Sequence, residues 1–444
     1  MAGMDQNLLA ELIAAARKAG ADAAEAVTAE RQSLSISVRA GALEEVEREE
    51  SRDLGLRVFV GQRQATVSGS DLSPDALSKL VDRAVAMARL APEDPYAGFA
   101  PAERLAKGPH LDLDLYDPTE LSPETLEDRA RATEARAVDG VVNSDGATAG
   151  WSTAKWLIAT SHGFVGSHQA SGFSLGASAI AGDGETMETG YDGRSVRWHA
   201  DLPGPEGIGT EAGRRAAARL GSRKIGSTTA PVIFENRLAM SIISPMINAI
   251  AGPSIARGSS FLKDKLGQPV FAPGVTITDD PHRPRGLGSS PFDDEGVATQ
   301  AMDLIDKGVL TTWLLNSSSA RQLGLETTGH ASRGLAGPPG VGVSNLTLQP
   351  GTEDQASLMR SAGKGLLITS MFGPSLNGNT GDWSVGGSGF WFEDGELAYP
   401  VSEITVAGNL IEMYARLVPG SDLEIRGSSN APSLLIDALA IAGK

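Results

Sequence analysis

The chain has 444 residues, no cysteine, and 55 Asp+Glu against 38 Lys+Arg, a formal net charge of −17. That length exceeds one ordinary core and predicts two domains, while the missing thiols exclude disulfides, iron–sulfur clusters and every Cys-ligated zinc site. A chain at −17 with 5% aromatics is a poor candidate for direct nucleic-acid binding, which relies on cations against phosphate and rings against bases.

Leu8, Leu9, Leu12, Ile13 and Ala16 recur at helical spacing and Gly20 closes that helix, so an amphipathic helix is predicted at the start, with no secretory leader pattern. Residues 23–70 read as antiparallel strands, with alternation in SLSISV at 33–38 and a hairpin turn at Gly61 between 54–60 and 64–68. Ser73 and Pro74 open a helix whose inward residues are predicted to be Leu77, Leu80, Val81, Val85 and Met87. A Pro- and Asp-rich loop at 91–120 leads to a helix from Ser122 to about Ala137. Gly- and Ser-rich alternation from Val141 to His199 predicts a further antiparallel sheet, followed by a short helix over 211–220.

The segment 221–231 marks a boundary, giving domains at 1–225 and 226–444. Beyond it, frequent glycines separate short strands, with helices over 236–251 and 357–364. The uncharged stretch 238–256 contains Pro245 and Gly252, which predicts a buried kinked helix rather than a membrane span. Strands in runs with helices between them make the fold α+β: an amino-terminal antiparallel sheet with flanking helices and a β-rich carboxy-terminal domain. The whole reads as a cytoplasmic protein.

Catalytic signatures are sparse. No histidine is followed by glutamate, so no HExxH-type helix is present. His162 and His168 share a strand face but lack a third ligand. GFSLG at 172–176 matches a nucleophile-elbow string, yet Ser174 sits in continuing strand alternation, and an elbow needs a strand, a turn and a helix. FDDEG at 292–296 is expected to be a solvated acidic turn, and the arginines at 214–223 a helix face. The segment TGDWSVGGSGFW at 380–391 allows close backbone approach, serving a peptide groove or tight turns. Its candidate groove residues are Thr380, Gly381, Asp382, Ser384, Gly387, Ser388 and Gly389.

Longer strings resemble the TldD/PmbA family, in its PmbA or TldE branch. They are LGLRVFVGQRQATVSGSDLSPDAL at 54–77, SSPFDDEG at 289–296, NSSSARQLGLETTGHA at 316–331, NLTLQPG at 345–351, TGDWSVGGSGFWFEDGELAYPVSEITVAGNL at 380–410 and APSLLI at 431–436. The resemblance implies one subunit of a two-component cytoplasmic metalloprotease. Its TldD-type partner would carry an HExxxH helix and a later cysteine that together hold zinc. The corresponding helix here resembles SIISPMINAIA at 241–251, with neither His nor Glu, and the chain has no cysteine.

The resemblance therefore implies no metal ligand or catalytic residue in this chain, no cofactor of its own, and zinc in the partner. It also implies peptide or unfolded-protein substrates held extended in a groove, as an added strand. Leader-peptide cleavage and antitoxin degradation are family activities, and an older family description is modulator of DNA gyrase. A stand-alone peptide-binding or scaffold protein, able to form a homodimer when isolated, is the alternative. An autonomous hydrolase using Ser174 or the 293–295 carboxylates is the third reading.

Overall fold

The computed structural model describes residues 2–139 and 143–443. The amino-terminal half is built on one antiparallel sheet in the order β3-β2-β1-β4-β5-β6. Its strands are β1 (Ala23–Arg39), β2 (Ala42–Val60), β3 (Arg63–Gly69), β4 (Asn143–Thr160), β5 (Val165–Ala181) and β6 (Glu188–Val196). Val141 and Val142, where alternation was expected to begin, lie outside the described residues. The separate short runs expected over 23–70 are parts of longer strands, because the β1–β2 ladder runs from Ala23↔Phe59 to Arg39↔Ala42 with one irregularity near Ser37.

Period-two alternation puts Ala24, Ala26, Leu34, Ile36 and Val38 of β1 on one face. Four helices cover that face: α1 (Ala2–Lys18), α2 (Pro74–Leu90), α3 (Pro123–Ala137) and α4 (Pro205–Ala218). Leu9, Leu12, Val81 and Val85 of α1 and α2 pack with Ala24, Ala26, Leu54 and Leu56. Leu126, Ala130, Ile208 and Ala212 of α3 and α4 pack with Leu34, Ile36, Val38, Phe173 and Leu175. Each fully buried Leu or Ile contributes about 2 kcal/mol of transfer free energy.

Ser73 caps α2, its hydroxyl accepting the Ala76 N–H at 3.4 Å. Met87 corrects the expectation for this helix: it is 46% exposed, and the inward stripe runs instead through Leu80, Val81, Ala84, Val85 and Ala88. One residue is about 100° of helical rotation, which carries Met87 off the stripe that Ala88 occupies. Helix α4 starts at Pro205, ahead of the expected 211, because its glycines are contact points rather than breaks. A Cβ on Gly209 would come 2.2 Å from the Thr133 carbonyl oxygen, so glycine lets α4 lie directly against α3.

In the other half, β7 (Thr228–Phe234), β8 (Lys364–Leu376), β9 (Asp382–Glu393), β10 (Glu396–Asn409) and β11 (Leu434–Ala442) close into a barrel. Only β7 and β8 run parallel; the β10–β11 and β11–β7 pairings complete the ring. Short strands, as expected from the glycine spacing, form a separate small sheet at 277–279, 302–306, 309–310, 346–348 and 429–430. Helix α5 (Asn236–Ala249) contributes Ile242, Ile243 and Met246 to the same apolar cluster as Val232, Phe234, Leu366, Ile368 and Val406 of the barrel. Pro245 remains inside α5, and the uncharged stretch is split after Ala249, before α6 (Gly252–Ala256). Among the described residues, no helix is long and apolar enough to cross a membrane.

Candidate functional site

The turn into β9 is organised by side chains. Asp382 accepts from Asn409 Nδ2 at 3.0 Å and from Thr380 Oγ1 at 2.7 Å. These bonds, Asn409 first, hold its carboxyl below the usual carboxylate range. Gly381 turns the chain at φ +82°. Asp382 and Ser384 line an open cleft of about 770 Å³ together with Leu376, Asn377, Trp383 and Gly408.

The other sequence candidates lie elsewhere along the strand. Gly387, Ser388 and Gly389 are buried in the barrel wall. Ser388 receives Arg219 Nη2 at 2.6 Å, and a Cβ on Gly389 would stand 1.9 Å from the Leu367 carbonyl oxygen. Strand β9 is paired with β8 on one side and β10 on the other. An incoming peptide therefore finds no free edge on β9 itself.

A free edge does occur next to it. Strand β8 pairs with β7 only through Leu366, Leu367 and Ile368. From Ser370 to Leu376 it pairs with β9, and among the described residues no strand flanks its other side. Phe372 and Leu376 on this stretch are 61% and 40% exposed. Helix α5 borders the open side, with Ser241 Oγ 3.9 Å from Met371 Sδ. The exposed positions of α5 are Ser241, Ser244 and Asn248. Hydroxyl and amide groups are not the imidazole, thiolate or carboxylate donors of a zinc centre, so this helix does not fit one. Among the described residues no three His, Cys, Asp or Glu side chains converge as metal ligands.

The acidic run at 292–296 overturns its expected reading. Asp293 and Glu295 are 6% and 5% exposed. Asp293 accepts the N–H groups of Glu295, Val297 and Ala331 at 2.9, 2.8 and 3.1 Å. Glu295 accepts the Ser317 N–H at 2.8 Å, at the start of α7 (Ser317–Leu323), and Asp294 accepts that of Arg333 at 2.8 Å. Phe292 inserts between halves, its ring 5.3 Å from Phe164 and 5.9 Å from His168. The run is an inter-half fastener whose carboxylates are engaged by backbone donors. Burial pushes the Asp293 carboxyl well up, with Glu295 adding repulsion, raises Glu295, and brings Asp294 to about 6.

The remaining candidates resolve individually. His168 lies on β5, and its pKa is lowered to about 4 by burial and then by Arg197. His162, in the turn before β5, stacks on Phe99 at 4.3 Å. Ser174 is exposed in the middle of uninterrupted β5, between Gly150 and Ser195 on the neighbouring strands, so no elbow forms. Arg214, Arg215 and Arg219 pair with Glu211, Glu235 and Glu188, which makes them a neutralised helix face. Sequence reasoning missed Glu25, Arg57 and Arg333, a buried ionic cluster between the halves. No local pattern marks them, since they are distant in the chain.

Three PmbA/TldA metallopeptidase family models match this chain: domain 1 over 24–88, the central domain over 116–220 and the C-terminal domain over 227–443. The chain is 38% identical to Metalloprotease PmbA of Escherichia coli O157:H7 over 95% of its length and 93% of that protein. It is 36% identical to a Metalloprotease PmbA homolog of Haemophilus influenzae, covering 96% and 94%. A crystal structure from Bacteroides thetaiotaomicron, named there as a candidate modulator of DNA gyrase, superposes with TM-score 0.91 at 28% identity, covering 99% of both chains. TldE of Thermococcus kodakarensis shares the fold at TM-score 0.86 and 20% identity, covering 98% of this chain and 100% of that one. The chain belongs to the PmbA/TldD metallopeptidase family.

Proposed function

We propose that, within this family, the chain is the non-catalytic, TldE-like subunit of a cytoplasmic heteromeric zinc metalloprotease that processes peptides and unfolded proteins. Its partner is a TldD-type chain bearing the HExxxH helix, which holds the zinc. The observation carrying this reading is the pairing of a free strand edge with a helix that has no zinc donors: Ser370–Leu376 of β8 beside Ser241, Ser244 and Asn248 of α5. A peptide would lie extended on that edge, its backbone hydrogen-bonded to β8 and its apolar side chains against Phe372 and Leu376. Thr380, Asp382 and Ser384, with the turn residue Gly381, border the same end of the barrel and belong to the proposed groove, and Gly387, Ser388 and Gly389 supply the buried strand behind it. The division into domains at 225/226 is part of the same proposal.

The test is co-expression with a TldD-type chain. Copurification, zinc found only with the mixture, and peptidase activity only in the mixture are expected. Stoichiometric zinc and peptide cleavage by the isolated chain would overturn the assignment. A stable isolated chain that binds peptide yet ignores every TldD-type protein would favour the stand-alone scaffold.

A further inference from the structure

Strand β2 is a second open edge, with a different chemistry from that of β8. Its ladder with β1 runs through Ala42–Val60, but β3 pairs only with 54–60. Among the described residues, 42–53 therefore has a strand on one side alone. Every residue from Ala42 to Glu50 is exposed, so neither face of this arm is covered.

The two faces differ. Leu43, Val46 and Arg48 stand opposite Val38, Ile36 and Leu34, extending the apolar helix-covered face beyond its helices. Leu43 and Val46 are 45% and 52% exposed there. On the other face Glu45, Glu47 and Glu49 stand opposite Ser37, Ser35 and Ser33, so no cation lies across from them. Among the described residues none of these three glutamates has an ion pair; Arg39, Arg48 and Arg52 engage Glu44, Glu50 and Glu30 instead. Residues 42–53 carry six carboxylates and two guanidiniums, a local net of −4.

Charged edges guard against edge-to-edge pairing of like chains, because two such copies would set glutamate against glutamate. The same stripe selects a strand of opposite pattern. Residues on an added strand sit about 5 Å from those directly opposite, close enough for each Glu to meet one cation. We infer that the 42–53 edge of β2 accepts, by strand addition, an extended segment of another polypeptide that alternates Lys or Arg with apolar residues. The cations face Glu45, Glu47 and Glu49, and the apolar side chains cover Leu43 and Val46. This goes beyond the protease-subunit reading and is measured without the TldD-type chain, so either can fail alone.

The experiment uses the full isolated chain and a fluorescent peptide of alternating lysine and valine, read by anisotropy. Saturable binding is expected, weakening by about tenfold or more in Glu45→Lys/Glu47→Lys/Glu49→Lys and at high salt. N-methylation of alternate peptide amides should abolish it. A peptide of the same composition with its lysines on both faces should bind less well, and a glutamate–valine peptide not at all. The glutamates are exposed, so the variant should melt with the wild type; Glu45→Gln/Glu47→Gln/Glu49→Gln provides a milder check. Equal affinity for the Lys variant, insensitivity to N-methylation, or no binding overturns the inference. A wild-type dimer in sedimentation that the charge reversal dissociates also overturns it, by assigning the edge to a second copy.

Discussion

Arg57 Nη1 lies 3.3 Å from Glu25 Oε1, and both side chains are 2% exposed. The same carboxylate meets Nη1 of Arg333, whose side chain is fully buried. One carboxylate from β1 thus sits between a guanidinium of its own sheet and one from the other half of the chain. Nearby, Arg321 donates to the carbonyls of Tyr96, Gly98 and Phe99 at 2.8–3.1 Å, and elsewhere along the junction Arg426 donates to Asp192 at 2.9 Å. The halves are joined by buried and half-buried cations that find acceptors across the junction, which requires correct docking because an unmet buried charge is costly.

Removing Glu25 tests that joint. Glu25→Ala leaves two buried guanidiniums without their carboxylate and is expected to cost about 3–5 kcal/mol. Denaturant titration followed by tryptophan fluorescence measures it. A loss below about 1 kcal/mol would show that the cluster is solvated when the chain is free in solution.

The raised Asp294 carboxyl predicts a pH dependence. Its folded pKa of about 6 exceeds the ordinary 3.8. The folded state therefore holds more protons between these values, and this group's contribution is fully present below about pH 4 and lost as the pH rises through 6. Asp294→Asn keeps an acceptor for the Arg333 N–H and removes the titration. The variant's stability advantage over wild type should grow from pH 4 to pH 7, read as the difference in denaturation midpoints at matched m-values. A pH-independent difference would refute the burial argument.

Gly389→Ala probes the barrel wall. The added methyl meets the Leu367 carbonyl oxygen at 1.9 Å and Ile368 Cα at 2.9 Å, both backbone atoms that cannot swing away. A loss of about 3 kcal/mol is expected, with a fall in melting temperature. Peptide binding that disappears while the melting temperature holds would point to direct contact with a ligand instead.

Ser174→Ala separates the serine-hydrolase reading from the structural one. The side chain is exposed in mid-strand, so stability should change by no more than about 0.5 kcal/mol. Any peptidase activity of the chain, alone or in a mixture, should be unchanged. Loss of activity with intact folding would restore the hydrolase.

The difference between the readings of 172–176 and 292–296 shows where sequence reasoning holds. Around Ser174, alternation continues through the motif, and alternation is a local property that survives folding. At FDDEG the local composition says water, yet the three carboxylates are shielded by partners from 297, 317, 331 and 333. The expected start of α4 at 211 was late for a similar reason: Gly209 belongs to the helix because it lies close against Thr133 in another helix, a contact no local pattern displays. Met87 misled through phase, one residue off an otherwise correct stripe.

The sequence by itself determined the α+β class, the helices α1 to α3, the hairpin at Gly61, the absence of thiol chemistry and the family resemblance. These depend on periodicity, caps, composition and long ordered strings, all carried by neighbouring residues. Only the tertiary structure decided that β7 to β11 close into a barrel, that among the described residues β2 and β8 leave free edges, and that Glu25 lies between Arg57 and Arg333. Strand order and buried charge pairing are relations between distant residues. No local pattern encodes which edge stays unpaired or which cation fills a gap more than 300 positions away.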